Sequence, residues 1–144
     1  MELVFKKVEI KHVKGRDNMY ELYEIDSATY VDYDIKRIYY LTDLNGNTGQ
    51  HCHYIEKELF VMATGNCIAI IDRGYGKEEF TMNQGDAIYV GNWVWHGFKD
   101  FGPGSMLLAA SSTKHNPDRS DYLEEYEEYL RRIKEEGIQP SPKE

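Results

Sequence analysis

The stretch GQHCHYIEKELFVMATG, residues 49–65, places two histidines two positions apart, at His51 and His53. Successive side chains of a β-strand point to opposite faces, so these two imidazoles project to one side and Cys52 projects to the other. Paired imidazoles on one face can exchange protons near neutral pH or bind a metal ion. The sequence therefore centres the chemistry of the chain on His51 and His53.

Two further spacings accompany the histidine pair. Glu58 follows five residues after the second histidine, and Gly65 follows seven residues after that glutamate. Further along, the segment GDAIYVGNWVWH places Gly85 eleven residues before His96. Four residue types and two spacings agree, which makes this pattern far more specific than a lone His-x-His.

Together the two segments resemble the paired sequence motifs of the cupins. In the cupin fold these segments lie side by side inside one barrel. The resemblance implies that the histidine pair meets Glu58 and His96 in the interior. It predicts an all-β chain with a single cupin (RmlC-like jelly-roll) antiparallel β-barrel.

The sequence from Val4 to about Ala110 independently indicates many short strands. Gly and Asn cluster between the strands, as at Asn45-Gly46-Asn47, and both residue types tolerate the positive φ of tight hairpins. Many short strands at this spacing favour an antiparallel sandwich or barrel. Residues 59–71 are apolar at nearly every position, which is typical of strands buried on both faces. The predicted strands are VFKKVEI, YELYEI, IKRIYYL, the segment ending at His53, ELFVMAT, CIAIID, EEFTM, AIYV, VWHGF and SMLLAA.

The end of the chain changes to a helical pattern. In residues 120–137, apolar side chains recur on one helical face, with Ser120 placed to cap the start and Gly137 placed to end the helix. We expect a cupin domain with a C-terminal α-helix over residues 1–136 and a flexible tail over 137–144. The apolar face comprises Tyr122, Leu123, Tyr126, Tyr129, Leu130 and Ile133.

Composition narrows the class of protein. The chain has 144 residues and a formal net charge of −8, which argues against binding to nucleic acid or to an anionic membrane. The first residues contain no signal-peptide core, and no apolar run reaches the roughly 20 residues that span a membrane. The two cysteines do not make a disulfide framework. We therefore expect a cytoplasmic protein.

Within the cupins, the sequence is similar to the dTDP-4-keto-6-deoxyglucose 3,4-ketoisomerases, the sugar 3,4-ketoisomerase or WxcM-like family. The likeness rests on IKRIYYL, the GxHxH stretch, YVGNWVWH and the closing LAAS and DYLEEYEEYL segments. It implies an isomerase that converts a dTDP-4-keto-6-deoxyhexose to its 3-keto isomer during deoxyamino-sugar synthesis for surface glycans such as lipopolysaccharide. It also implies a homodimer whose N-terminal strands are exchanged.

Such a reaction needs a proton taken from C3 and another delivered to C4, through an enediol. An enolising site needs a base poised near neutrality and donors for the developing oxyanion. Histidine serves as acid or base without extreme tuning of its pKa. We expect His51 to be the base, and His53 to orient it or to pass protons between the sugar oxygens. This pairing needs no metal and no other cofactor.

Four other residues are candidates for binding the substrate. Arg37 and Tyr39 are two positions apart on one predicted strand and share its face. The guanidinium group suits the diphosphate oxygens, and the phenol can hydrogen-bond a sugar hydroxyl or the enediolate. We expect Trp95 and His96 to lie beside the sugar or the base.

Two other interpretations remain open. The chain could be a metal-dependent cupin enzyme in which the ligands of Fe(II), Mn(II), Ni(II) or Zn(II) are His51, His53, Glu58 and His96, because imidazoles and a carboxylate suit several such ions. It could also be a non-catalytic sugar-binding cupin, which the density of titratable groups in one predicted pocket discourages.

Overall fold

The computed structural model describes residues 1–118 and 120–143. Its strands are β1 (Phe5–Glu9), β2 (Lys11–Lys14), β3 (Glu21–Glu24), β4 (Arg37–Leu41), β5 (Glu58–Thr64), β6 (Asn66–Asp72), β7 (Lys77–Asn83), β8 (Asp86–Val90), β9 (Trp95–Lys99) and β10 (Met106–Ser111). Its α-helices are α1 (Ser27–Tyr30) and α2 (Tyr126–Glu135). The predicted strands coincide with observed ones except for the segment ending at His53, which forms only isolated bridges, whereas β2 and α1 were not predicted.

The strands form antiparallel sheets. One sheet has the strand order β1-β8-β5-β10-β4, a second has the order β7-β6-β9, and β2 pairs with β3 as a hairpin. The two larger sheets face one another as a jelly roll, which confirms the predicted all-β fold. Within residues 1–118 and 120–143, no ladder joins these sheets into a closed barrel, so the barrel is two facing sheets rather than a continuous one.

Both faces of β5 are buried, which explains its unbroken apolar sequence. Phe60 and Met62 point into the core between the two sheets. Leu59 and Val61 point to the opposite face, where residues from the chain segment 8–35 cover them. The predicted burial of this strand on both faces is confirmed.

The C-terminal helix begins later than predicted. Cys52 exchanges two backbone hydrogen bonds with Leu123, at 2.9 and 3.0 Å, and this pairing holds the start of the predicted helix in an extended conformation. Ser120 therefore does not cap α2, whose N-cap is Glu125. Gly137, at φ 63°, ends the helix as expected.

The segment after α2 is docked and not a flexible tail. Ile138 and Ser141 are 7% and 3% exposed. The backbone N–H of Ser141 donates to Arg73 O at 2.8 Å, and its carbonyl accepts from the Tyr75 hydroxyl at 2.7 Å. These contacts tie residues 138–141 to the sheets. Among the residues that the structure describes, no helix is long and apolar enough to cross a membrane.

Candidate active site

The histidine pair lies where residues 48–52 follow the free edge of β9. His51 and His96 exchange two backbone hydrogen bonds, at 3.0 and 2.9 Å. The Nε2 atoms of His51 and His53 are 3.1 Å apart, and the ring centroids of His51 and His96 are 4.6 Å apart. The three imidazoles therefore form one cluster, while Cys52 is fully buried among the core residues. Side chains 51 and 52 point to opposite faces as they would on a strand, but the segment forms isolated β-bridges rather than a regular strand.

Two adjoining cavities open onto this cluster. The loop-side cavity, of about 380 Å³, is lined by His53 and by side chains between residues 113 and 122. The strand-side cavity, of about 570 Å³, is lined by both histidines of the pair and by Tyr39. Because His53 lines both cavities, a ligand that filled the two would lie across the histidine pair.

Hydrogen bonds determine which ring nitrogens face the cluster. Nδ1 of His53 lies 2.7 Å from the carbonyl oxygen of Asp121, and Nδ1 of His96 lies 3.0 Å from that of Val94. A carbonyl oxygen only accepts, so both Nδ1 atoms carry a proton and both Nε2 atoms face inward. Burial, together with His51 and His53, lowers the pKa of His96 well below its usual value, so this ring is neutral.

Glu58, at the start of β5, lies beneath the imidazoles and is 2% exposed. Its Oε1 lies 3.6 Å from Nε2 of His53 and 3.8 Å from Nε2 of His96, while Oε2 accepts from the Tyr39 hydroxyl. Burial, reinforced by the charge of Glu56, raises the pKa of Glu58 to about 8. At neutral pH this carboxyl is therefore largely protonated and can donate to an imidazole.

Arg37 and Tyr39 share one face of β4, as predicted, but the Arg37 charge is already balanced. Its Nη2 donates to Oε1 of Glu56 at 2.7 Å. The Ser111 and Thr113 hydroxyls donate to the same oxygen at 2.8 and 3.1 Å. Arg37 lines both cavities, and its Nε is buried without a hydrogen-bond partner among the described residues, so its predicted role as the diphosphate anchor stays a prediction.

Trp95 points away from the cavities. It alternates with His96 along β9 and packs under α2, with its ring centroid 5.1 Å from that of Tyr126 and 5.2 Å from that of Tyr129. Its indole N–H donates to Oε1 of Gln50 at 3.1 Å. Trp95 is 2% exposed in the core and lines neither cavity, so its predicted place beside the substrate stays a prediction. His96 is only 3% exposed behind the pair and lines neither cavity, so its contact with the substrate stays a prediction.

Sequence reasoning missed three residues of the site. The sequence carried no prediction for Glu56, which is 5% exposed and whose Oε2 lies 3.4 Å from Nε2 of His53. Asp121 and Tyr122 were assigned to the helix. The Asp121 carboxylate accepts from the backbone N–H of Ile55 and of Glu56, at 2.7 and 2.9 Å, and the Tyr122 ring stacks on His51 at 4.4 Å. The sequence could not place Asp121 and Tyr122 beside the histidines, because an acidic residue followed by an aromatic one has no periodicity that predicts this contact.

The site also offers metal-ligating atoms. One donor atom each from His51, His53 and His96 lies within 4.8 Å of the others, and the same holds for His53, Glu56 and Glu58. Imidazole and carboxylate ligands suit first-row divalent ions, so the residues present fit such an ion. The carboxylates are engaged by Tyr39 and Arg37, and an ion would compete with these bonds.

One family profile and one known protein sequence match most of this chain. The profile of the family described as "FdtA: WxcM-like, C-terminal" matches residues 5–134. The chain is 29% identical over 120 residues to TDP-4-oxo-6-deoxy-alpha-D-glucose-3,4-oxoisomerase of Aneurinibacillus thermoaerophilus, covering 81% of this chain and 85% of that protein.

Solved structures show the same fold. The TDP-quinovose 3,4-ketoisomerase WlaRB of Campylobacter jejuni matches with a TM-score of 0.78 and 27% identity, over 88% of this chain and 97% of that one. The sugar 3,4-ketoisomerase QdtA of Thermoanaerobacterium thermosaccharolyticum, solved with TDP, matches with a TM-score of 0.81 and 23% identity, over 92% of this chain and 96% of that one.

Proposed function

Because the chain belongs to the FdtA, WxcM-like family, we propose that it is a sugar-nucleotide 3,4-ketoisomerase acting on a dTDP-linked 4-keto-6-deoxyhexose. The curated relative and WlaRB carry names of this activity. The observation that supports the proposal most strongly is the His51–His53 pair, whose Nε2 atoms are 3.1 Å apart at the junction of the two cavities.

In the proposed reaction, His51 removes the proton from C3, and the C3–C4 double bond of the enediol forms as O4 is protonated. The O3 proton is then lost, the C3 carbonyl forms, and C4 receives a proton. Protons leave and return in equal number, so no oxidant or reductant is consumed. His53 passes protons between the sugar oxygens and His51, because its Nε2 faces that ring.

The surrounding groups support this proton transfer. Neutral His96 adds no positive charge behind the pair. Protonated Glu58 lies within 3.6 Å of Nε2 of His53 and is itself oriented by Tyr39. In this arrangement Tyr39 acts through the carboxyl rather than on the sugar directly. The site therefore holds several proton donors and acceptors in one buried cluster, which suits enolisation.

We further propose that the protein is a homodimer. In the structure, β1 pairs with β8 of the same chain, from Phe5 opposite Val90 to Glu9 opposite Asp86. An exchange would replace this strand by the identical strand of a partner, at little cost in contacts. On the other edge strand, β4, Ile38 and Tyr40 are 65% and 63% exposed, which leaves apolar surface for a partner.

A metal-dependent cupin is the second candidate, favoured by the three imidazoles whose donor atoms lie within 4.8 Å of one another. The ion would be held by His51, His53 and His96 with Glu58, and it would polarise a substrate carbonyl as a Lewis acid. A non-catalytic sugar-binding cupin is the third. It would bind dTDP-sugar and leave it unchanged.

One experiment separates the three candidates. The purified protein is analysed for metal before and after treatment with a chelator, and each sample is assayed for dTDP binding and for conversion of dTDP-4-keto-6-deoxyglucose. The ketoisomerase proposal predicts dTDP binding and conversion that both survive chelation. One equivalent of metal without dTDP affinity would favour the metal enzyme, and binding without conversion would favour the sugar-binding protein.

A further inference from the structure

The Arg37–Glu56 pair raises the question of which group binds the diphosphate. A nucleoside diphosphate sugar brings two negative charges, and the chain as a whole carries a net charge of −8. A cation beside the cavity is therefore needed to hold the ligand, and Arg37, which shares its charge with Glu56 at 2.7 Å, meets only part of this need. This question arises only if the proposed function is correct.

The segment from residue 113 to residue 121 is held over the site at both ends. At its start, Thr113 donates to Glu56, and the neighbouring Ser112 exchanges two hydrogen bonds with Lys57, at 3.0 and 2.8 Å. At its end, Asp121 accepts from the backbone of residues 55 and 56. Both anchors lie on the stretch that directly follows His53, so the segment walls the loop-side cavity in a definite position.

One of the charged side chains that line the loop-side cavity, a lysine, forms no ion pair among the described residues. The acidic side chains among the cavity's lining residues are Glu56 and Asp121, and each is occupied by the hydrogen bonds described above. None of the ion pairs among residues 1–118 and 120–143 involves Lys114, an exposed residue that lines the cavity. Its neighbour His115 lines both cavities, so the lysine lies beside the space that contains the histidine pair.

We propose that Lys114 binds the diphosphate of the nucleotide sugar in the loop-side cavity and so places the sugar in the strand-side cavity, over the histidine pair. An ammonium group on an exposed segment meets the phosphates without first breaking an ion pair. Charge-assisted hydrogen bonds to phosphate are among the stronger polar contacts, so the loss of one weakens binding by about tenfold or more. Lys114 is therefore a binding residue and takes no part in proton transfer.

Calorimetric titration of the Lys114→Gln variant with dTDP, dTMP and thymidine tests this assignment. We expect dTDP to bind about tenfold more weakly than to the unaltered protein, dTMP to lose less, and thymidine to bind unchanged. In turnover assays, KM rises by a similar factor and kcat stays within about twofold, because the lysine does not touch the reacting carbons. Lys114→Arg keeps the charge and most of the dTDP affinity.

Lys134→Gln is the matched control. It makes the same change in net charge at an exposed position on α2, and it should leave dTDP affinity unchanged. Equal dTDP affinity in Lys114→Gln and the unaltered protein would overturn the inference and leave the ketoisomerase proposal standing. Absence of dTDP binding by the unaltered protein would overturn both.

Discussion

Two glutamates next to the same imidazole differ in charge because they have different partners. Glu56 receives hydrogen bonds from Arg37 and from two hydroxyls, which stabilise its carboxylate. The Glu58 carboxyl accepts from the Tyr39 hydroxyl and lies within 4 Å of two imidazoles, and burial together with the charge of Glu56 raises its pKa to about 8. The two glutamates therefore place carboxyl groups with different partners near Nε2 of His53, at 3.4 and 3.6 Å.

This difference predicts how stability depends on pH. The pKa of Glu58 rises from an ordinary 4.5 to about 8 on folding, so between these values the folded state keeps a proton that the unfolded chain has lost. The contribution of Glu58 to stability is complete below about pH 4.5, falls as the pH rises, and is gone above about pH 8. The side chain at this position in Glu58→Gln does not titrate. The variant therefore does not lose this contribution to stability as the pH rises.

Urea unfolding at pH 5, 6.5 and 8 measures the effect. The free energy of unfolding of Glu58→Gln should rise relative to that of the unaltered protein as the pH increases, by about 1.4 kcal/mol per pH unit at most. Parallel curves for the two proteins would show that Glu58 ionises normally in the folded state.

At the scale of elements, the connection between β10 and α2 decides the shape of the site. The apolar spacing of residues 120–137 fits a helix, and the chain is helical from Tyr126 onward. Leu123 instead pairs with Cys52, and Asp121 bonds to the backbone of residues 55 and 56, because the edge of the motif segment offers backbone partners that a helix would leave unused. Periodicity alone does not reveal this competition, which is why Asp121 and Tyr122 were placed on the helix and not beside the histidines.

Asp121→Ala tests the role of this connection. The carboxylate accepts two backbone hydrogen bonds, at 2.7 and 2.9 Å, and its loss leaves both N–H groups without this partner. We expect the free energy of unfolding to fall by about 2 kcal/mol or more. The turnover rate should fall at least tenfold, because the backbone carbonyl of residue 121, which orients Nδ1 of His53, is then no longer held in place.

Glu124→Ala is the control, since it removes an exposed acid three residues further along the same connection. It should change neither stability nor rate by more than a small amount. Similar losses in the two variants would show that the connection responds to any loss of charge and that Asp121 has no special position.

At the scale of the whole molecule, much of the fold follows from the sequence. The strand segments, both buried faces of β5 and the meeting of His51, His53, Glu58 and His96 were predictable, because strand alternation and motif spacing carry them. The ion pairing of Arg37 was not, since its partner Glu56 lies nineteen positions away and has no periodic signature. The docked C-terminal segment was missed because prolines and charges there suggest a loose end, while Ser141 has specific backbone partners.

Assembly is the remaining prediction at this scale. Both edge strands of the five-stranded sheet, β1 and β4, are available for contact with a second copy, so we expect a homodimer in light scattering at micromolar concentration. Deletion of residues 1–10 should remove β1, leave the edge of β8 open, and give a less stable monomer or an aggregate. A clean mass near 16.8 kDa for the intact chain would show that it is a monomer.

The central claim is that the histidine pair moves a ketone from C4 to C3 of a dTDP-linked sugar. The most direct measurement is NMR of dTDP-4-keto-6-deoxyglucose incubated with the purified protein in D₂O, alongside the His51→Asn variant. We predict a 3-keto product that carries deuterium at C4. The variant should form none, while binding dTDP within a few fold of the unaltered protein. Unchanged substrate with the intact protein, or full activity in His51→Asn, would contradict the account.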